Sequence, residues 1–412
     1  MRSRRVASRI LPAAVVLLLL GSCVGGDRGV GGAARLSLAV TPASALADEP
    51  LRIRVGGLAA GERVVVSAEA DDRSGRLWRS RGTFVADANG VVDVSQDAPI
   101  DGSYAGVDPM GPFWSMDPVD GDASHFAPEW PHLRGHFPVR LSAAAGQRES
   151  AAATVRRDWT TGDVTFAELS PATDGVRGML VLPPPDVPRR PGVLLLGGSE
   201  GGLGGRYEAP LLASRGHPVL CLAYFGAADL LAALHDIPLE YFATAAGLLG
   251  RHSGGEVVAW GYSRGSEAAL LLAQWYPELV RAVVVYAPSN WVNPGYPETG
   301  AAAWTLDGRP VPLGPVPLDR IDGPVLAVTG EDDEVWPAAW FTAELIHALG
   351  GSPHRALFYP DSGHRVGTFP YLPATTVYRT STGDLSLGGT RPGDAAARRD
   401  GWPQVLEFLA NS

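Results

Sequence analysis

A short apolar run, Glu256-Val257-Val258-Ala259-Trp260, leads into Gly261-Tyr262-Ser263-Arg264-Gly265 and then into an Ala- and Leu-rich segment, Ser266 to Trp275. Such a succession reads as buried strand, tight turn and helix. It commits this part of the chain to an open sheet flanked by helices. A serine at a turn of this kind takes a strained backbone, and its hydroxyl stands clear of the sheet. The two glycines keep side chains out of the space needed by the neighbouring strand and helix. The Arg264 N–H opens the helix and points at the reaction centre. With 51 glycines in 412 residues, Gly-x-Ser-x-Gly also arises by chance, so its meaning depends on what surrounds it.

The surroundings repeat the same alternation. Val164–Leu169 and Val176–Leu182 read as an opening antiparallel hairpin. Apolar strands follow at Gly192–Leu196, Val219–Ala223, Ala282–Ala287, Val325–Thr329 and Ala356–Tyr359, with helices near Tyr207–Arg215, Leu239–Arg251 and Ala343–Leu349 and a closing helix at Trp402–Leu409. Strands alternating with helices predict a mostly parallel α/β sheet over residues 160–412. Cys221 lies in one of these strands and reads as a small core residue.

Three loops at strand ends carry candidate chemistry. Gly197-Gly198-Ser199-Glu200-Gly201-Gly202 follows a central strand and offers a second oxyanion donor, from Gly198 or Ser199, beside the Arg264 N–H. A dinucleotide phosphate loop is the alternative, but the Gly-x-Gly-x-x-Gly spacing is missing. Gly330-Glu331-Asp332-Asp333-Glu334 follows a late strand, with four acids competing for one role. Pro360-Asp361-Ser362-Gly363-His364 follows the last strand. Ser, acid and His in this order fit a nucleophile, an orienting carboxylate and a general base. His347 and His354 sit in a helix and ahead of a strand, away from that position.

Residues 36–155 read differently. Short alternating runs such as Leu36–Val40, Leu51–Val55, Arg63–Ala68, Val91–Val94 and His136–Leu141, parted by turn residues, predict an antiparallel β-sandwich without helices. The Gly-, Pro- and aromatic-rich stretch 102–118 reads as a loop packed on the neighbouring domain, with the lining of a substrate pocket as the alternative. His125, His132 and His136 fit no metal template and read as surface or structural residues. No metal or cofactor is expected.

The N-terminus reads as a targeting segment. Arg2, Arg4, Arg5 and Arg9 precede an apolar stretch, Ile10 to Leu20, that is too short for a permanent span. Leu20-Gly21-Ser22-Cys23 resembles a bacterial lipobox, which implies cleavage before Cys23, lipidation of its thiol and a membrane-anchored protein of the bacterial cell envelope. An ordinary secretory signal is the alternative. Residues 1–22 are thus read as signal peptide and 23–35 as a flexible tether. All 34 basic residues are arginine, as in a GC-rich bacterial genome. The net charge of −10 becomes −14 once residues 1–22, with four arginines and no acid, are removed. So acidic a chain is a poor partner for nucleic acid.

Taken together, Asp48-Glu49-Pro50-Leu51-Arg52-Ile53, Ser103-Tyr104-Ala105-Gly106-Val107-Asp108-Pro109-Met110-Gly111, Leu239-Glu240-Tyr241-Phe242, Gly330-Glu331-Asp332-Asp333 and Tyr359-Pro360-Asp361-Ser362-Gly363-His364 resemble the acyl-CoA thioesterase / bile acid-CoA:amino acid N-acyltransferase family. The resemblance runs from about Asp48 to Leu409. It implies an α/β-hydrolase fold carrying an N-terminal immunoglobulin-like β-sandwich. It also implies Ser263 as nucleophile, His364 as base and Asp333 as the acid, with Asp332 as fallback. The amino-acid-transferring branch is known for a cysteine nucleophile, so serine implies hydrolysis, with water as acceptor. The expected activity is that of a serine acyl hydrolase on a fatty-acyl thioester, through an acyl-enzyme. Two alternatives stay open: an exported carboxylesterase or acyltransferase acting on a non-CoA ester or amide, and a non-catalytic binding lipoprotein. An exported enzyme would meet little CoA, and no basic cluster for CoA phosphates stands out in the sequence; Arg206, Arg264 and Arg365 fall near the predicted mouth, with a place in the turn after Ser263 as the alternative for Arg264.

Overall fold

The computed structural model describes residues 35–121, 125–367, 369–380 and 383–412. Cys23, with the leader and most of the tether, lies outside the described residues. No helix among the described residues is long and apolar enough to cross a membrane.

The first part of the chain forms two facing sheets. Ser37–Thr41, Arg52–Gly56 and Val92–Asp93 make the smaller one. The larger is built on Ala151–Asp158, His136–Ala144, Arg63–Asp71 and Leu77–Val85, with short strands at its edges. Alternation fixes the register. Val64, Val66, Ala68 and Ala70 point inward from one strand, and Trp78, Ser80, Gly82 and Phe84 from its partner. A one-residue slip would turn each set out to solvent. The sequence reading missed one helical turn here, Gly111–Trp114, inside the irregular loop. Pro112 at its start favours the turn, and four residues are too few to leave a periodic signal.

The second part is an eight-stranded sheet. Its order is Thr165–Leu169, Arg177–Leu182, Val219–Ala223, Gly192–Leu196, Val257–Tyr262, Ala282–Tyr286, Val325–Gly330 and Arg355–Tyr359. The first two pairings are antiparallel and the rest parallel. This is the α/β-hydrolase arrangement. The central strands are buried along their whole length, as expected where helices cover both faces. Cys221 is fully buried, and burial pushes its thiol up.

The closing helix is longer than its apolar pattern predicts. It runs Arg391–Asn411, capped by Thr390, whose side chain accepts the Gly393 N–H. Gly393, Gly401, Pro403 and several charges interrupt the apolar spacing, which hid its first half. That half packs on the sandwich and on the loop carrying His364.

The motifs of the first domain are docking points. Asp48 accepts the Trp402 indole N–H at 2.7 Å and pairs with Arg215 at 2.9 Å. Asp108 accepts the Met110 N–H and the Trp114 indole N–H within its own loop and pairs with Arg399 of the closing helix at 2.7 Å. Arg391 reaches Asp117 and the Met116 carbonyl. Loop 102–118 thus packs on the hydrolase domain, as expected. Of the three histidines, His125 stacks on Tyr378, His132 lies against Phe166 and His136 opens a sandwich strand.

Candidate active site

Ser263 sits between the strand Val257–Tyr262 and the helix Arg264–Trp275, at φ 54° and ψ −122°. A non-glycine residue there stores roughly 1–3 kcal/mol of strain. Its surroundings hold it: the Ser263 N–H donates to the Tyr286 carbonyl, and the Ser266 hydroxyl donates to the Ser263 carbonyl at 2.6 Å. A methyl group on Gly261 would strike the Gly265 carbonyl, and one on Gly265 would strike the carbonyls of Leu196 and Gly197. Both glycines are therefore required by close backbone approach.

The Ser263 Oγ lies 3.0 Å from His364 Nε2, and His364 Nδ1 lies 2.7 Å from Asp333 Oδ2. All three side chains are buried or nearly so. The second carboxylate oxygen of Asp333 accepts the N–H groups of Val335 and Trp336, which leaves Oδ2 for the histidine. Asp332 is exposed and makes no such contact; its N–H donates to the Ser362 carbonyl. The His364 ring lies between Tyr262 and Trp336, at centroid distances of 5.4 and 5.7 Å. An imidazole held this way, with a carboxylate on Nδ1, presents an unprotonated Nε2 to the serine hydroxyl.

Several residues that hold this geometry escaped the sequence reading. Asp394 and Arg398, both buried on the closing helix, brace the His364 loop. Asp394 accepts the Ser362 hydroxyl and the Gly363 N–H, and Arg398 donates twice to the Arg365 carbonyl. The Tyr262 hydroxyl donates to the His364 carbonyl. Beyond a hairpin, Val377–Thr380 with Gly383–Ser386, Gly388 bridges to Asp333 and Gly389 to Ser362. The Thr390-Arg391-Pro392 start signal was the one clue to the helix, and nothing local marks the rest.

Gly198 stands beside Ser263: a methyl group placed on it would lie 3.1 Å from the Ser263 Cβ. Its loop is fixed by the buried Tyr224, whose hydroxyl contacts the Gly197 carbonyl at 2.5 Å and the Gly198 carbonyl at 3.3 Å. Burial drives that phenol well above its ordinary value, so it stays a donor. No hydrogen bond joins Ser199 to Ser263 among the described residues. The Arg264 side chain turns inward. It pairs with Glu267 at 3.0 Å and donates to the carbonyls of Asn293 and Pro294. Glu267 also accepts from Asn293 and the Trp304 indole; burial pushes its carboxyl up, against these donors. That network ties the segment after Tyr286 to the helix Arg264–Trp275. The Arg264 guanidinium is thus buried in the frame and engaged there.

Residues 48–170 match the acyl-CoA thioester hydrolase/BAAT N-terminal region, and residues 311–412 match the BAAT/acyl-CoA thioester hydrolase C terminus. Acyl-coenzyme A thioesterase 6 of Mus musculus is 31% identical over 90% of this chain and 96% of its own. The Homo sapiens protein of the same name is 31% identical over 88% and 93%. Among solved structures, the dienelactone hydrolase of Anabaena variabilis aligns with 49% of this chain and 88% of its own, at 22% identity and a TM-score of 0.32. Two matched regions at either end of the chain, and relatives that align along nearly all of it, place this protein in the acyl-CoA thioester hydrolase/BAAT family.

Proposed function

We propose that the protein is a serine hydrolase of acyl thioesters, with Ser263 as nucleophile. The observation that carries this reading is the unbroken chain Ser263 Oγ–His364 Nε2–Asp333 Oδ2, with links of 3.0 and 2.7 Å. His364 takes the Ser263 proton as the oxygen attacks the thioester carbon. The Arg264 and Gly198 N–H groups receive the tetrahedral oxyanion. Its collapse expels the thiolate, which takes the proton from His364. Water, activated by the same imidazole, then attacks the acyl-enzyme and releases the acid. Asp333 keeps the productive tautomer and offsets the imidazolium charge.

Cations on the loops that carry this site, or packed against them, favour CoA as the leaving group. Arg73 and Arg206 lie 4.1 and 4.4 Å from the Trp130 ring centre, and Arg365 lies 5.8 Å from that of Tyr378. Arg206 closes the segment that begins at Gly197, and Arg365 follows His364 directly. Among the described residues none of the three pairs with a carboxylate. A phosphate contact of this charge-assisted kind is worth about 1.5–3 kcal/mol. Arg206→Gln should therefore raise KM for palmitoyl-CoA about tenfold and leave a nitrophenyl ester within about twofold. Equal effects on both substrates would remove the case for a phosphate-bearing leaving group.

The leader favours a second substrate class, an exported ester or amide, because CoA belongs to the cytoplasm. Wild-type kcat/KM on palmitoyl-CoA against a nitrophenyl ester of the same acyl length separates the two. The same reading takes Cys23 as a lipidated anchor in the bacterial cell envelope. Cys23→Ser should shift the protein from the membrane to the soluble fraction, and an unchanged distribution would discard the anchor.

A further inference from the structure

The loop that offers the second oxyanion donor also carries an acid. The Gly198 N–H donates to Glu200 Oε1 at 3.1 Å. A methyl group on Gly198, the same one that would sit 3.1 Å from the Ser263 Cβ, would lie 2.8 Å from Glu200 Oε2. One on Gly197 would lie 2.9 Å from Oε1. The carboxylate therefore lies over the backbone of both glycines, and at Gly198 it does so on the side that faces Ser263. Among the described residues no arginine pairs with it, and the residue is exposed, so its side chain is free to turn into solvent. The backbone beneath it is held by Tyr224.

We propose that Glu200 is a resident anion of the oxyanion site and a specificity residue. In the free enzyme it holds the Gly198 N–H, and the acyl carbonyl has to displace it in each turnover. The physical ground is competition for one donor. A tetrahedral oxyanion needs that N–H, and two negative oxygens beside each other repel. Donors with long acyl chains or large leaving groups bring remote binding energy that drives the side chain out. Short, neutral esters bring little. Glu200 thus biases the enzyme against small esters without touching the reacting bond. The proposal rests on Ser263 being the nucleophile.

The test uses the full-length protein and two variants. Glu200→Gln keeps an acceptor and removes the charge; Glu200→Ala removes both. Each should raise kcat/KM for nitrophenyl acetate about tenfold and change palmitoyl-CoA turnover less. Each should also tighten an alkylboronic acid, which forms an anionic tetrahedral adduct, by a similar factor, a readout that a purely structural role would not move. Lower kcat in both variants would make the carboxylate a participant in the chemistry and overturn the proposal. Unchanged esterase activity and boronate affinity would make it a surface residue and overturn the proposal equally. Ser263→Ala, measured alongside, separates the levels. Its inactivity with unresponsive Glu200 variants overturns this inference alone, whereas its full activity overturns the nucleophile and the inference together.

Discussion

Ser263→Ala should lower kcat by about 10⁶-fold, a loss of about 8 kcal/mol of transition-state stabilisation, with KM little changed. The size follows from the unit the three side chains form. With the oxygen gone, His364 Nε2 has no nucleophile to activate, and Asp333 orients an imidazole without a task. What survives is binding and the N–H groups of Arg264 and Gly198, which still favour attack by water over the uncatalysed reaction. The fold should not suffer. Ser263 donates no framework hydrogen bond from its side chain other than the one to His364, and its backbone N–H and carbonyl keep Tyr286 and Ser266 as partners. Steady-state kinetics on palmitoyl-CoA, with a thermal melt of both proteins, checks both halves.

Asp333→Asn should lower kcat by about 10⁴-fold. The substitution keeps the shape and leaves an acceptor for the Val335 and Trp336 N–H groups. With its oxygen held there, the asparagine turns its NH₂ towards His364. Nδ1 then accepts, the ring proton moves to Nε2, and the imidazole can no longer take a proton from Ser263. Asp332→Asn is the matched control. Asp332 is exposed and away from the ring, so that variant should stay within about twofold of wild type, as surface changes usually do. The reverse pattern would move the acid role to Asp332.

The sheet was legible because its strands are continuous apolar runs bounded by glycine and proline, and because Ser263, Asp333 and His364 each follow one of them. Residues that serve the site from outside that alternation were not. Asp394 and Arg398 are polar, and a sequence reading places such residues on a solvated helix face; the fold buries them to hold the loop on either side of His364. Arg264 read as a cation near the mouth, yet Glu267, one helical turn on, draws it inward. Glu267 itself looks like an ordinary first-turn acid until Asn293 and Trp304 arrive from a segment with strands of two or three residues, too short for any periodicity to mark. The Asp-Pro-Met-Gly stretch was legible as a family signature without revealing its use. Arg399, far along the chain, shows that Asp108 joins the two domains.

Ser263 is proposed to carry the acyl group. Treating the full-length protein with a fluorophosphonate probe and mapping the adduct by peptide mass spectrometry tests it most directly. One adduct per chain is expected, on the peptide containing Ser263, formed in step with the loss of thioesterase activity and absent in Ser263→Ala. Full turnover in a protein whose Ser263 is completely labelled, or inactivation with the label on another residue, would contradict it.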